Sequence, residues 1–349
     1  MSSNTIRLAE RPTTTTTKMR PSFSSPPGFR PHPLARGGHA QTIMGRYVAG
    51  RRFAFESHPH QVDLGDGDRL CVLESVPPTW RAGDPAAILI HGLAGNAGAL
   101  YLVRLAGRLL ELGVRVVRMN LRGAGEGFGL ARGIYHSGRS GDVRAVVDWL
   151  SDRATGSPIG VAGFSLGASL ALRLAAGADV SVPGALDCVV AANPPIDLLA
   201  CSRRMGERRN RVYDRSFARW LRADIAKLHE RFPDLGPLNL RGVRSIHEFD
   251  DRYTAPRNGF ASAEDYYTRF AAGPVVPRIR IPGLVVHAAD DPFIPIEAFH
   301  NVAFPPSVEF ELCPTGGHMG FISRSPWRGD RRWLETRLAH WLAHHWGLG

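Results

Sequence analysis

Ile159-Gly160-Val161-Ala162-Gly163-Phe164-Ser165-Leu166-Gly167 is an apolar β-type run that closes on Gly-x-Ser-x-Gly and passes at once into an apolar helical pattern. Strand, serine and helix in that order read as a nucleophile elbow. A serine on a sharp strand-to-helix turn projects its Oγ above the end of a sheet. Glycines flank it because side chains there would collide with neighbouring backbone. The helix behind carries Ala168, Leu170, Ala171 and Leu174. Its N-terminus turns backbone N–H groups and their partial positive charge toward any oxyanion formed at Ser165. The pentapeptide alone could be a tight Gly-Ser turn; the strand before it and the helix after it favour catalysis.

Working outward, short apolar strands alternate with helical patterns. Strands are expected at 86–90, 114–119, 188–192, 284–287 and 308–312, with helices reaching residue 112 and spanning 142–150. Such alternation means βαβ units and a mostly parallel sheet, with ligands bound beyond the carboxyl ends of its strands. Upstream, β-type runs at 52–64 and 69–76 flank Gly65-Asp66-Gly67-Asp68 and predict an antiparallel hairpin. Between about 196 and 276 the alternation gives way to a helical, charge-rich insertion, read as a cap over the site. Residues 1–30, rich in Thr, Ser, Pro and Arg, are expected to form a disordered leader before a single domain at 31–349. In the tail, 327–346, Trp333, Arg337, Trp341 and His345 share one helical stripe, expected to pack on the sheet.

The bulk composition narrows the function classes. Hydrophobic residues make up 44% of the 349, yet no apolar run is long enough to span a membrane. The N-terminus lacks the apolar core of a secretory signal. Cys71, Cys188, Cys201 and Cys313 form no C-x-x-C pair, so neither a zinc ribbon nor a disulfide framework is expected, and a cytoplasmic setting fits. A net charge of +11 raises the question of nucleic acid. Its carriers, all arginine except Lys18 and Lys227, are spread through every segment among acids, so no nucleic-acid partner is expected. The densest group, Arg203, Arg204, Arg208, Arg209, Arg211 and Arg215, reads as a solvated helix face, with peripheral contact to anionic lipid as its rival.

A serine hydroxyl needs a base to take its proton and an acid to orient that base. Asp290 and Asp291 follow the strand ending at His287, and His318 follows the next strand, within Gly316-Gly317-His318-Met319-Gly320. Serine, aspartate and histidine in this chain order, each after a strand, match α/β-hydrolases and neither chymotrypsin nor subtilisin. Asp291 is preferred to Asp290 as the acid because Asp-Pro leads into an apolar pair and a further proline. The oxyanion hole needs two backbone donors, for which Leu166, after the nucleophile, and Leu93, in His91-Gly92-Leu93, are the candidates. Gly123-Ala124-Gly125-Glu126-Gly127-Phe128-Gly129 fails the dinucleotide pattern in every register. A metal site from His287, Asp290, Asp291 and His318 lacks any supporting ligand spacing, so no cofactor or metal is expected.

Several further pieces are similar to the YheT-like branch of the α/β-hydrolases, which includes yeast medium-chain ethyl-ester synthase/esterases and mammalian abhydrolase-domain lipases. They run from Gly38-His39-Ala40-Gln41-Thr42-Ile43 through Asn120-Leu121-Arg122-Gly123, Tyr135-His136-Ser137-Gly138 and Asn193-Pro194-Pro195 to the segment from Phe249 to Pro256. The resemblance implies an eight-stranded, mostly parallel sheet with a helical cap, a triad of Ser165, Asp291 and His318, and activity on short- to medium-chain acyl esters or lipids. Acyl transfer to alcohols and a silent binding protein are the alternatives; no obligate protein partner is implied. Where relatives often carry Gly-x-Ser-Leu-Gly-Gly, this chain has Ala168 after Gly167.

Overall fold

In the computed structural model, which describes residues 28–327 and 330–348, eight strands pair in the order β1-β2-β4-β3-β5-β6-β7-β8. The hairpin expected around residues 65–68 is there, joining β1 (His58–Asp63) to β2 (Arg69–Ser75). β2 lies antiparallel to β4 (Arg115–Met119). From β4 the sheet continues in parallel through β3 (Ala86–Ile90), β5 (Ile159–Phe164), β6 (Leu186–Ala192), β7 (Gly283–Ala288) and β8 (Val308–Cys313). The order of strand addition reverses at β3, so the loops after β3 and β5 diverge at the crevice where such sheets bind ligands.

β3, β5 and β7 are buried along their whole length, which sequences apolar but for His287 in β7 permit only in a sheet covered on both faces. Ile88 and Ile90 point into the core with α3 (Ser140–Arg153) and α4 (Leu166–Ala175). Ala87 and Leu89 point into the other, with α2 (Leu100–Glu111) and α10 (Trp333–His345). Before the hairpin stands α1 (Gly38–Tyr47). Between β6 and β7 lie α5 (Leu198–Gly206), α6 (Arg211–Arg231), α7 (Ile246–Phe249), α8 (Ala255–Arg257) and α9 (Ala263–Phe270), with a π turn over Asp250–Thr254.

Two boundaries differ from expectation. Residues 52–57 stay out of the ladder because Phe53 packs on α2, so closely that a Cβ on Gly107 would come within 2.1 Å of its ring. The tail helix begins at Trp333; before it, Ile322–Trp327 and Asp330–Arg332 pair as antiparallel β9 and β10. Buried Asp330, paired with Arg108, pins that hairpin. The expected leader lies outside the described residues up to 27, and Phe29 packs against Phe321 and Trp333. Among the described residues no helix is long and apolar enough to cross a membrane.

Candidate active site

Ser165 occupies the turn from β5 into α4 with φ 51° and ψ −121°, a backbone conformation that costs a non-glycine residue about 1–3 kcal/mol. Its surroundings force it there. A Cβ on Gly163 would lie 2.1 Å from the Gly167 carbonyl oxygen, and one on Gly167 would lie 2.6 Å from those of Ile90 and His91. The two glycines therefore let strand, helix and the loop after β3 meet, and leave the serine hydroxyl facing out.

His318 reaches this hydroxyl from the loop after β8, its Nε2 3.0 Å from Ser165 Oγ. On the other side its Nδ1 lies 2.8 Å from Asp291 Oδ2. A carboxylate only accepts, so Nδ1 carries the hydrogen and Nε2 presents its lone pair to the serine. The remaining valences of Asp291 are filled. Oδ1 accepts the N–H groups of Phe293 at 2.8 Å and Ile294 at 3.1 Å, and Oδ2 also accepts the Asn193 amide at 2.7 Å. Burial works to raise the Asp291 carboxyl, but the charge and hydrogen bond of His318 prevail and hold it below the usual carboxylate range.

Asp290, the neighbour, takes the Gly317 N–H at 2.8 Å and so braces the histidine loop, while burial raises its own pKa. That loop is gripped from the far end of the chain. Thr42 Oγ accepts the His318 N–H at 2.8 Å and donates to the Gly38 carbonyl at 2.7 Å. A Cβ on Gly38 would fall 1.7 Å from the Asp290 carbonyl oxygen. Sequence reasoning had no role for α1 or for Asn193; their segments stood out only by resemblance.

The loop after β3 lies against the serine. His91, fully buried, accepts the Leu121 N–H on Nε2 at 3.1 Å, so its Nδ1–H donates to the Gly92 carbonyl at 2.7 Å. Burial pushes its pKa down to about 4, which keeps the ring neutral. With the Gly92 carbonyl held toward that ring, the Leu93 N–H, trans across the same peptide, faces the opposite way. The flanking amides are occupied, Gly92 by Tyr101 and Ala94 by Tyr135. Neither the Leu93 nor the Leu166 N–H has an acceptor among the described residues.

Ser165, His318, Leu93 and Leu166 open onto a cavity of about 670 Å³ roofed by α5, α6, α7 and α9. Leu221, Ile225, Leu228 and Phe249 make one wall apolar, while Ser137, Asp250, Tyr266 and Tyr267 make another polar. Arg122 is committed to Asp142, Asp68 and Asp66, tying the β1–β2 turn to α3. His287 does not join a ligand cluster; its ring stacks on Phe299 at 4.2 Å. Donors within 4.8 Å of one another occur, among the described residues, at Asp187, Cys188 and His345, where Asp187 already accepts from His345 and Trp346.

Residues 85–325 match the alpha/beta hydrolase fold family. YheT of Escherichia coli is 34% identical over 325 residues, covering 92% of this chain and 94% of its own. The monoacylglycerol lipase of Saccharomyces cerevisiae is 27% identical over 318 residues, 86% of this chain and 69% of its own. Among solved structures, the esterase Pf2001 of Pyrococcus furiosus superposes with a TM-score of 0.52 at 19% identity, covering 85% of this chain and 97% of that one. The extent of these matches and the sheet order place the chain in the α/β-hydrolase fold family, in its YheT-like branch.

Proposed function

We propose that this chain hydrolyses carboxylic esters through an acyl-enzyme on Ser165. His318 Nε2 takes the serine proton as Oγ attacks the ester carbonyl, and returns it to the leaving alcohol. Asp291 holds the imidazole in the reactive tautomer and stabilises the imidazolium. The N–H groups of Leu93 and Leu166 receive the oxyanion. Water, activated by the same histidine, then releases the acid and restores the serine.

One observation carries this reading: His318 bridges Ser165 at 3.0 Å and Asp291 at 2.8 Å. The apolar cavity wall and the name of the yeast relative, a monoacylglycerol lipase, support acyl esters as substrates, and the family resemblance implies short- to medium-chain ones. Intact-mass analysis with a fluorophosphonate tests the nucleophile. One adduct per chain, lost in Ser165→Ala, is expected; no adduct on folded protein would turn the reading toward a binding protein. A chain-length series of esters, run with and without ethanol, tests the acyl acceptor. Ester formation outpacing hydrolysis would make the chain an acyltransferase.

A further inference from the structure

Tyr135-His136-Ser137-Gly138 contributes to the proposed chemistry only through Tyr135, which accepts the Ala94 N–H. The next residue, His136, is 6% exposed and lines the same cavity. Its Nδ1 accepts the Gly138 N–H at 3.1 Å. A backbone amide can only donate, so the ring's hydrogen is on Nε2. That Nε2–H has no acceptor among the described residues. The ring cannot easily turn away. Phe260, Tyr266 and Phe270 meet it edge-on with centroids 5.5–5.6 Å away, and a Cβ on Gly138 would strike the Phe270 ring at 2.4 Å. Burial, reinforced by Arg139 and Arg122, pushes its pKa down to about 3, so the donor is uncharged.

Acceptors line the same cavity. Ser137 Oγ takes the Tyr266 hydroxyl at 3.2 Å, and Asp250 takes those of Thr254 and Tyr267 at 2.6 and 2.7 Å, which leaves lone pairs on each. A group that both accepts and donates, a hydroxyl, complements this pairing. An anionic group fits less well: Asp214, Asp224, Asp250 and Glu264 line the cavity, its buried arginine, Arg122, is held by carboxylates, and its other arginine, Arg203, is exposed.

We propose that His136 is a specificity-determining residue of a polar subsite for an uncharged, hydroxyl-bearing alcohol portion of the ester, its Nε2–H donating to an oxygen of that group. The assignment rests on the ester-hydrolase reading, and its test needs no turnover. Glyceryl and methyl octanoate are titrated by calorimetry into the Ser165→Ala protein, alone and combined with His136→Phe or His136→Gln. The glyceryl ester is expected to bind about tenfold tighter than the methyl ester, the worth of roughly one net hydrogen bond. His136→Phe, which keeps the aromatic packing, should abolish that preference, so that the two esters bind with equal affinity. His136→Gln, with an amide donor, should keep part of it.

No preference in the parent, no binding of either ester, or equal loss for both esters in His136→Phe would overturn the assignment. So would tighter binding of octanoyl glycerophosphate than of the glyceryl ester. Absence of fluorophosphonate labelling in the wild type would instead undo the serine-hydrolase reading, so the two failures are separable.

Discussion

Asn193 and Asp291 are joined at 2.7 Å across the ends of β6 and β7, on the same carboxylate oxygen that His318 approaches at 2.8 Å. Asn193 is fully buried at a φ of 45°, and its Nδ2 also reaches the Gly317 carbonyl at 3.2 Å, so one amide ties the acid to the histidine loop. A hydrogen bond to a charged group is worth about 1.5–3 kcal/mol. Asn193→Ala is therefore expected to lower kcat by about 10- to 100-fold, because the imidazole loses its fixed partner. Asn193→Asp sets a second carboxylate against Asp291, which should raise the pKa of the pair and move the acid limb of the kcat/KM profile upward. Unchanged kcat and pH profile in both variants would reduce Asn193 to packing.

The adjacent aspartates should separate cleanly. Asp291 contacts His318 directly, whereas Asp290 contacts the backbone of Gly317. Asp291→Asn should cost about 10⁴ in kcat by reversing the imidazole tautomer. Asp290→Asn keeps an acceptor for the Gly317 amide and should cost less than about tenfold, in line with one neutral hydrogen bond. Ester hydrolysis by the two variants at pH 8 decides it; equal losses would mean the acid is shared.

What the sequence reveals of this site is what chemistry writes locally. Ser165, Asp291 and His318 each follow an apolar strand within a few residues, so their order and their loops could be read directly. The elbow glycines could too, because strand and helix cross there within four residues. The supports could not be derived. Thr42 holds His318 across 276 positions, and Asn193 holds Asp291 across 98. Nothing in a local pattern ties such positions together. The late start of α10 escaped for a related reason: Arg332 is 1% exposed, and hydropathy does not mark an arginine as core.

Gly167 should be intolerant of even a methyl group. Its added Cβ would stand 2.6 Å from two backbone oxygens of the β3 strand and loop, which have no side-chain freedom to yield. Gly167→Ala should lose about 1–3 kcal/mol or more by chemical denaturation and displace the loop that carries Leu93. Gly184→Ala, where a Cβ meets nothing within 4 Å, is the matched control and should stay within about 0.5 kcal/mol. Equal stability of the two variants would contradict this close approach.

Stability should fall as the solution is made acidic, well before ordinary carboxylates titrate. Burial lowers His91 and His287 to about 4 and His136 to about 3, from the usual 6.5. The unfolded chain therefore takes up these protons below about pH 6.5, and the folded one does not. Their contribution is complete above pH 6.5 and is lost as pH falls toward the folded values. Asp250 works the other way. Burial raises it to about 6, so the folded chain holds a proton there that the unfolded one releases above about pH 4. Near pH 5 the balance is an uptake of about two protons on unfolding, or a loss of about 3 kcal/mol per pH unit. Denaturant midpoints measured between pH 7 and 4.5 check the slope. In a His287→Phe variant it should shrink by about one proton's worth, and an unchanged slope there would show that His287 charges freely in the folded chain.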